Sequence, residues 1–461
     1  MSFPRFKAYR DSGVEWLGEV PAHWRVHSLS RITLDKCDGP FGSGLKSEHY
    51  VDEGVRVVRL QNIRELAFDD RDAAYISKGY FESELLGHSV CRGDVLIAGL
   101  GDDRNLVGRA CVAPAIEPAM VKADCFRFRI DVRQALPRFV AAQLTASASY
   151  DAGVLSSGST RSRIALSVTA TRTLALPPVD EQNAIAEFLD RELAKIDALI
   201  AEQERLIALL KEKRQAVISH AVTKGLDPNA PMKDSGVEWL GHVPAHWEVV
   251  QARRLISIIE QGWSPDCESR IAEEEEWGVL KTGCVNRGIY TETENKALPP
   301  VLEPRPELEV RDGDIIISRA NGSPELVGSA ARVRSTRRQL MLSDKLFRII
   351  PASNCLPDFF VALFNATAIR SQIVQAISGA DGLANNLPQS KLREFLCPLP
   401  PPEEQSTICH HLSRTFPTLA ILIHAAEQAN ALLQERRSAL ISAAVTGKID
   451  VRSLVAEKEA A

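Results

Sequence analysis

The chain has 461 residues, 45% hydrophobic and 25% charged, which is enough for two or more separately cored domains of ordinary globular composition. No apolar run reaches the ~18 residues a membrane span needs, and the start has no hydrophobic signal core, so the expectation is a cytoplasmic protein with no membrane partner. Nine scattered cysteines without a CxxC pair argue against a disulfide framework or a zinc site, and a net charge of −5 supplies no general attraction for polyanions.

Along the chain, the first feature is a Trp-containing lead-in, DSGVEWLGEVPAHWRV at Asp11–Val26. It returns as DSGVEWLGHVPAHWEV at Asp234–Val249, displaced by 223 residues and changed only at Glu19/His242 and Arg25/Glu248. The same displacement carries LPPVDEQ (Leu176–Gln182) onto LPPPEEQ (Leu399–Gln405). It also carries LLKEKRQAVISHAVTKG (Leu209–Gly225) onto LLQERRSALISAAVTGK (Leu432–Lys448). A repeat of this kind dictates the architecture. Each half runs from lead-in to a diverged stretch, then a Pro-rich joint and a long helix.

The diverged stretches, residues 27–175 and 250–398, share little beyond a Gly-Asp turn before an apolar strand and a following LVG. The turns are RGDVLIAG at Arg92–Gly99 and DGDIIISR at Asp312–Arg319; the LVG runs are Leu106–Gly108 and Leu326–Gly328. Short β-branched runs broken by Gly, Asp and Asn predict strand-rich mixed domains.

The helices carry heptad spacing. Leu193, Ile196, Ile200, Gln203, Ile207, Leu210, Arg214 and Val217 form one seam. Phe416, Leu419, Ile423, Ala426, Asn430, Leu433, Arg437 and Leu440 form the other. Pro417 is tolerable only near a first turn, so the regular part of the second helix is expected to begin there. Two matched seams in one chain favour pairing with each other over each helix merely capping its own domain. The expected fold class is α+β, with two pseudo-repeated head domains joined by two long helices in an antiparallel coiled coil. The expected boundaries are 1–178, 179–226, 227–398 and 399–461.

Motifs of catalysis are weak. Gly39-Pro-Phe-Gly-Ser-Gly44-Leu-Lys46-Ser47 approaches a phosphate-binding loop, but Leu45 separates glycine from lysine and misplaces the ammonium. Pro265-Asp266 with Glu294-Asn295-Lys296 has the order of a metal-dependent nuclease site, yet the pattern is loose and has no counterpart in the first half. No NPPY tetrad or GxGxxG is present, and no catalytic or metal-ligating residue is assigned. Two other classes compete: an adaptor that binds proteins through its helices, and a nuclease built on the second head.

The lead-in DSGVEWLG…VPAHW, the glycine-rich GPFGSGLKSEHY (Gly39–Tyr50), LPPxxEQ and the helix Phe188–Gly225 together resemble the specificity subunits of type I restriction–modification enzymes. The resemblance covers essentially the whole chain, twice over. The segments QGWSPDCES and WGVLKTGCVNRGIYTETENKALP are similar to a variant of that family's target-recognition domain, which places Glu294-Asn295-Lys296 in a recognition domain. The resemblance implies a non-catalytic, double-stranded-DNA-binding subunit whose two heads each read half of a bipartite site. Its helices set the spacer and dock two methyltransferase subunits, and restriction motor-nuclease subunits join for cleavage. S-adenosylmethionine, ATP and Mg are expected on those partners and none on this chain. A continuous helix over the ~40 residues from Gln182 to Val222 would extend ~60 Å, ample for two major grooves one turn apart.

Neither head is strongly basic. Residues 27–178 hold 15 Arg and 4 Lys against 18 acids, and residues 250–398 hold 14 Arg and 4 Lys against 19 acids. Candidate DNA contacts are polar loop residues beside glycine. In the first head these are Ser43, Lys46, Ser47, Tyr50, Arg161 and Arg163. In the second they are Trp263, Ser264, Asn286, Arg287, Arg319, Asn321, Asn385 and Asn386. Trp16, Trp24, Trp239 and Trp247 are expected in cores or docking surfaces, because both halves share them.

Overall fold

The computed structural model describes residues 3–102, 105–155, 162–286, 288–377 and 385–452, without the side chains of residues 43, 152 and 153. Internal contacts divide the chain into two units, Met1–Gln203 with Gln428–Ala461, and Glu204–Glu427. The two long helices, Val179–Lys224 and Pro402–Val445, each contribute residues to both units. No helix among the described residues is long and apolar enough to cross a membrane.

In the first unit the lead-in folds as a hairpin, Tyr9–Asp11 against Glu19–Pro21, and Arg25–Ser28 pairs antiparallel with Thr173–Leu176 at the far end of the head. Between them lies a four-stranded sheet in the order Ala110–Val112, Val95–Ala98, Cys125–Ile130, Thr33–Cys37. A second, five-stranded sheet contains the parallel pair Val55–Val58 and Ala119–Val121. The helix Pro137–Val154 packs on the first sheet through Phe139, Val140 and Leu144.

The second unit repeats this plan. The hairpin is Met232–Asp234 against His242–Pro244, and Glu248–Gln251 pairs with Leu396–Leu399. Its four-stranded sheet runs Ala330–Arg332, Ile315–Ser318, Leu346–Pro351, Ile256–Gln261, the order of the first. The Gly-Asp turns before Val95 and Ile315 serve the same purpose in both. Asp94 accepts the Cys91 N–H and binds Arg129, while Asp314 accepts the Arg311 N–H and faces Arg348 at 3.3 Å.

One lock explains why the lead-in and LPPxxEQ recur together. The buried Trp24 indole N–H donates to Glu181 at 2.8 Å, and His23 Nε2 lies 2.9 Å from the other carboxylate oxygen. The second unit has the same pair, Trp247 to Glu404 at 2.9 Å with His246 at 2.8 Å. The next residue completes the joint. Gln182 accepts the Leu136 N–H and donates to the Gln134 and Pro177 carbonyls; Gln405 does the same with Leu356, Asn354 and Pro400. Trp24 and Trp247 are therefore core residues, whereas Trp16 is half-buried and Trp239 exposed.

The long helices start on acidic first turns, Asp180-Glu181 and Glu403-Glu404, which suit the positive end of the helix dipole. They stop at glycines with positive φ, Gly225 at 76° and Gly447 at 72°. The heptad reading holds residue by residue. Leu193, Ile196, Leu419 and Leu440 are buried, Ile200 and Leu433 pack on the first core, and Ile207, Leu210 and Ile423 are half-buried. Off-seam Leu199, Leu206, Leu209, Ile421 and Leu422 are exposed.

In the second unit Lys211 meets Glu427 and Arg214 lies over Phe416, so one helix descends as the other rises. The repeated seam arginines differ: Arg437 pairs with Asp197 at 2.8 Å and Glu65 at 3.5 Å, but among the described residues Arg214 has no carboxylate partner and lies over the Phe416 ring. Burial accordingly lowers the pKa of Arg214. One expectation is corrected. The second helix is regular from Pro402 and carries Pro417 within it. The lost rung is outweighed by burial of Leu412 and Leu419 on either side.

The lock predicts unequal sensitivity. Glu181 is 6% exposed in its ion pair with His23 and Glu404 is 29% exposed with His246. Glu181→Ala should lower stability by ~2 kcal/mol, because the indole N–H is left without an acceptor where water cannot replace it. Glu404→Ala should cost less. Urea unfolding of the two variants checks the order, and equal losses would mean that solvent access does not govern the lock.

Candidate nucleic-acid interface

The candidate residues cluster where each head's first long strand ends. A Cβ at Gly39 would run into the backbone of Val121 and Lys122, and one at Gly262 into that of Leu342 and Ser343. GPFGSG and QGWSP, unlike in sequence, therefore hold the same place in the two heads, pressed onto the end of a short strand where only glycine fits. The near phosphate-binding loop forms two three-residue 3-10 turns, Gly42–Gly44 and Ser47–His49, with no helix whose N-terminus could hold a phosphate.

In the first head the loop is braced by Tyr80, whose hydroxyl donates to the Gly44 carbonyl and whose ring stacks on His49 at 4.2 Å. Lys46 and Ser47 are exposed, with Lys46 3.6 Å from Glu48. Tyr50 is half-buried below Lys122, and its hydroxyl has no hydrogen-bond partner among the described residues. Ser43's side chain and Arg161 lie outside the described residues.

Arg163 sits on a two-residue ladder, Leu100–Gly101 with Ser162–Arg163. Its guanidinium is 2.9 Å from Asp124 and covers the exposed Phe41 ring at 5.5 Å. Asp38 adjoins this group. Burial, with the Asp124 charge adding to it, pushes its carboxyl up to about 6 against the pull of the Gly39 N–H and Arg163.

The second head has the matching ladder, Ala320–Asn321 with Asn385–Asn386, in the same register. Asn386 stands opposite Ala320 as Arg163 stands opposite Leu100. Arg319 joins this ladder to the loop: it donates to the Asp344 carbonyl at 3.2 Å, and the Asp344 carboxylate takes the Ser264 hydroxyl. Ser264, Arg319, Asn321, Asn385 and Asn386 thus form one connected surface.

Trp263 is half-buried beneath Arg305, whose guanidinium lies 4.3 Å from the ring centroid. Asn286 is on a separate ladder, donating to the Gly283 carbonyl at 3.0 Å, with its own carbonyl oxygen buried and without a partner among the described residues. Arg287 lies outside the described residues. Phe41, Lys122, Asp124, Asp38 and Asp344 were not anticipated, since they come from segments whose meeting no local pattern announces.

No protein-family profile matches the chain. It is 23% identical over 406 residues to the EcoKI specificity subunit of Escherichia coli K12, covering 87% of this chain and 83% of that protein. It is 32% identical over 198 residues to the EcoEI specificity subunit of Escherichia coli, a match of 42% of this chain and only 33% of that protein. A solved chain from work on assembly and conformational transition of the type I R-M system has the same fold. The TM-score is 0.64 at 15% identity, over 92% of this chain and 98% of that one.

Over most of its length the chain is similar to type I specificity subunits. In the loosely nuclease-like motif Glu294 is held by Lys281 at 3.1 Å. No cluster of three His, Cys, Asp or Glu suited to a metal occurs among the described residues.

Asp38 makes the first head pH-sensitive. The folded carboxyl keeps its proton up to about 6, against an ordinary value of 3.8, so folding takes up a proton between those values. The stability this supplies is complete below about pH 4 and is lost as pH rises through about 6. Asp38→Asn should therefore gain about 1 kcal/mol relative to the wild-type chain over that rise, a figure reduced for partial exposure. Urea unfolding at the two ends of the range measures it, and parallel profiles would show that this carboxyl titrates normally.

Proposed function

We propose that this chain reads DNA sequence for a type I restriction–modification complex, each head contacting one half of a bipartite duplex site. The observation that carries the reading is the contrast between frame and loops. Both units keep the same order in the four-stranded sheet, the same Trp–Glu–Gln joint and the same two-residue ladder, while the side chains on the ladder and glycine loop differ. A scaffold that keeps its mechanics and changes only its exposed polar groups is suited to reading two different base sequences.

On this reading the long helices set the gap between the half-sites and offer the docking surface for two methyltransferase subunits. Those subunits bring S-adenosylmethionine and flip the target adenines. Restriction subunits bring ATP- and Mg-dependent translocation and cleavage. The weak net charge of the heads leaves attraction for the DNA backbone to a few locally placed basic groups.

Exchange of residues 27–175 for the matching segment of a relative should change one half-site and leave the other as it was. Mapping methylated adenines across the genome of cells carrying the hybrid reads this directly. A hybrid that assembles and changes both half-sites would show that the heads are not independent readers.

The ladder gives a finer prediction. Arg suits a guanine edge and Asn an adenine edge. Arg163→Ala and Asn386→Ala should each cost ~1–3 kcal/mol of binding and relax one base position, in different half-sites. Competition with single-base variants at fixed salt distinguishes this from uniform weakening, the mark of a phosphate contact. Unchanged affinity in both variants would put base reading elsewhere on the heads.

A further inference from the structure

We propose that a cleft in the second unit is a binding site for a backbone phosphate of the DNA, an inference that rests on the DNA-reading function proposed above. The cleft has a volume of about 320 Å³ and is lined by Lys281, Lys296 and Lys345, with the hydroxyls of Ser264, Thr282 and Ser343. Residues 250–398 contain only 4 lysines, so three of them converge here. They arrive from separate places: Lys281 follows the strand Gly278–Leu280, Lys296 is within Asn295–Ala297, and Lys345 precedes Leu346–Pro351.

Their charge is largely uncompensated. Lys281 shares Glu294, but neither Lys296 nor Lys345 has a carboxylate within ion-pair distance among the described residues. Asp266 is the one carboxylate on the cleft wall. Ser343 supplies the second, independent sign of a ligand. It is only 4% exposed and its hydroxyl has no hydrogen-bond partner among the described residues, although it lines the cleft. A buried donor without an acceptor, set among ammonium groups, asks for an anion with several acceptor oxygens.

Lysines act as point charges and impose no planar geometry, which suits a tetrahedral phosphate better than a base edge. The neighbours favour a DNA phosphodiester over a free anion. Ser264, on the cleft wall, bonds Asp344, whose carbonyl takes Arg319 of the base-reading surface. A strand whose bases meet Asn321 and Asn386 passes its backbone here. The first head lacks the feature: Asp124 occupies the place of Lys345, each accepting the amide that opens the ladder, from Gly99 and Arg319 respectively.

The test is binding of the full chain to a mixed-sequence DNA duplex, followed by fluorescence anisotropy across a salt series. The double variant Lys296→Ala/Lys345→Ala should bind all sequences ~10-fold or more weakly and lower the salt slope by about one for each phosphate left without its lysine. Ser343→Ala should weaken binding with the slope unchanged and without loss of thermal stability, whereas a structural hydroxyl would lower stability. Lys391→Ala, the fourth lysine, should change nothing.

Wild-type binding with an unaltered double variant overturns the site and leaves the DNA-reading function standing. No duplex binding by the wild-type chain overturns that function and this site with it. Stabilisation by inorganic phosphate that the double variant lacks, with DNA binding unchanged, overturns the DNA assignment in favour of a free anion.

Discussion

In each unit a buried indole N–H donates to a glutamate on the first turn of a long helix, and the next residue, a glutamine, binds the start of the head helix with both ends of its amide. Three elements far apart in the chain are fixed by two adjacent side chains. The lead-in is held by the glutamate, the head by the glutamine, and the long helix carries both. The glutamate also faces the positive end of its own helix, which favours its charge and makes it a stronger acceptor. The ladders and glycine loops that carry the candidate contacts stand on heads positioned by this joint.

The arginine content of the heads has a second explanation once the partners are visible. Arg127 binds Asp35, Arg129 binds Asp94, Arg348 binds Glu260 and Arg332 binds Asp358. Arg172, fully enclosed with Asp151, donates to the carbonyls of Gly108 and Leu144. These guanidiniums tie strands and helices together, so arginine richness measures internal bracing at least as much as DNA affinity. Attraction for a polyanion would then rest on a few locally placed groups, such as the proposed lysine cleft of the second head.

The two heads also show how one frame tolerates opposite electrostatics. At matched backbone positions the first head carries Asp124, with Asp38 beside it partly protonated near about pH 6, and the second carries Lys345. Neither charge enters the shared sheet, because both sit on turns at its end. Side chains there change without disturbing the Trp–Glu–Gln joint or the strand order.

The sequence by itself determined the two-fold plan, the long helices and their seams. Repeats, heptads and glutamates beside prolines are local patterns, and Leu193, Ile196, Leu419 and Leu440 are buried as their spacing requires. It also contained the lock, as the recurring pair VPAHW and LPPxxEQ, without saying that one binds the other. Tertiary structure alone decided the surfaces. Ser264 reaches Asp344 across 80 residues, and Arg163 reaches Asp124 across 39. It also overrode the break expected at Pro417, where burial on both sides outweighs one missing hydrogen bond. Local patterns report the energetics of neighbours along the chain; a binding surface is set by which strand ends the sheet brings together, and that depends on long-range pairing.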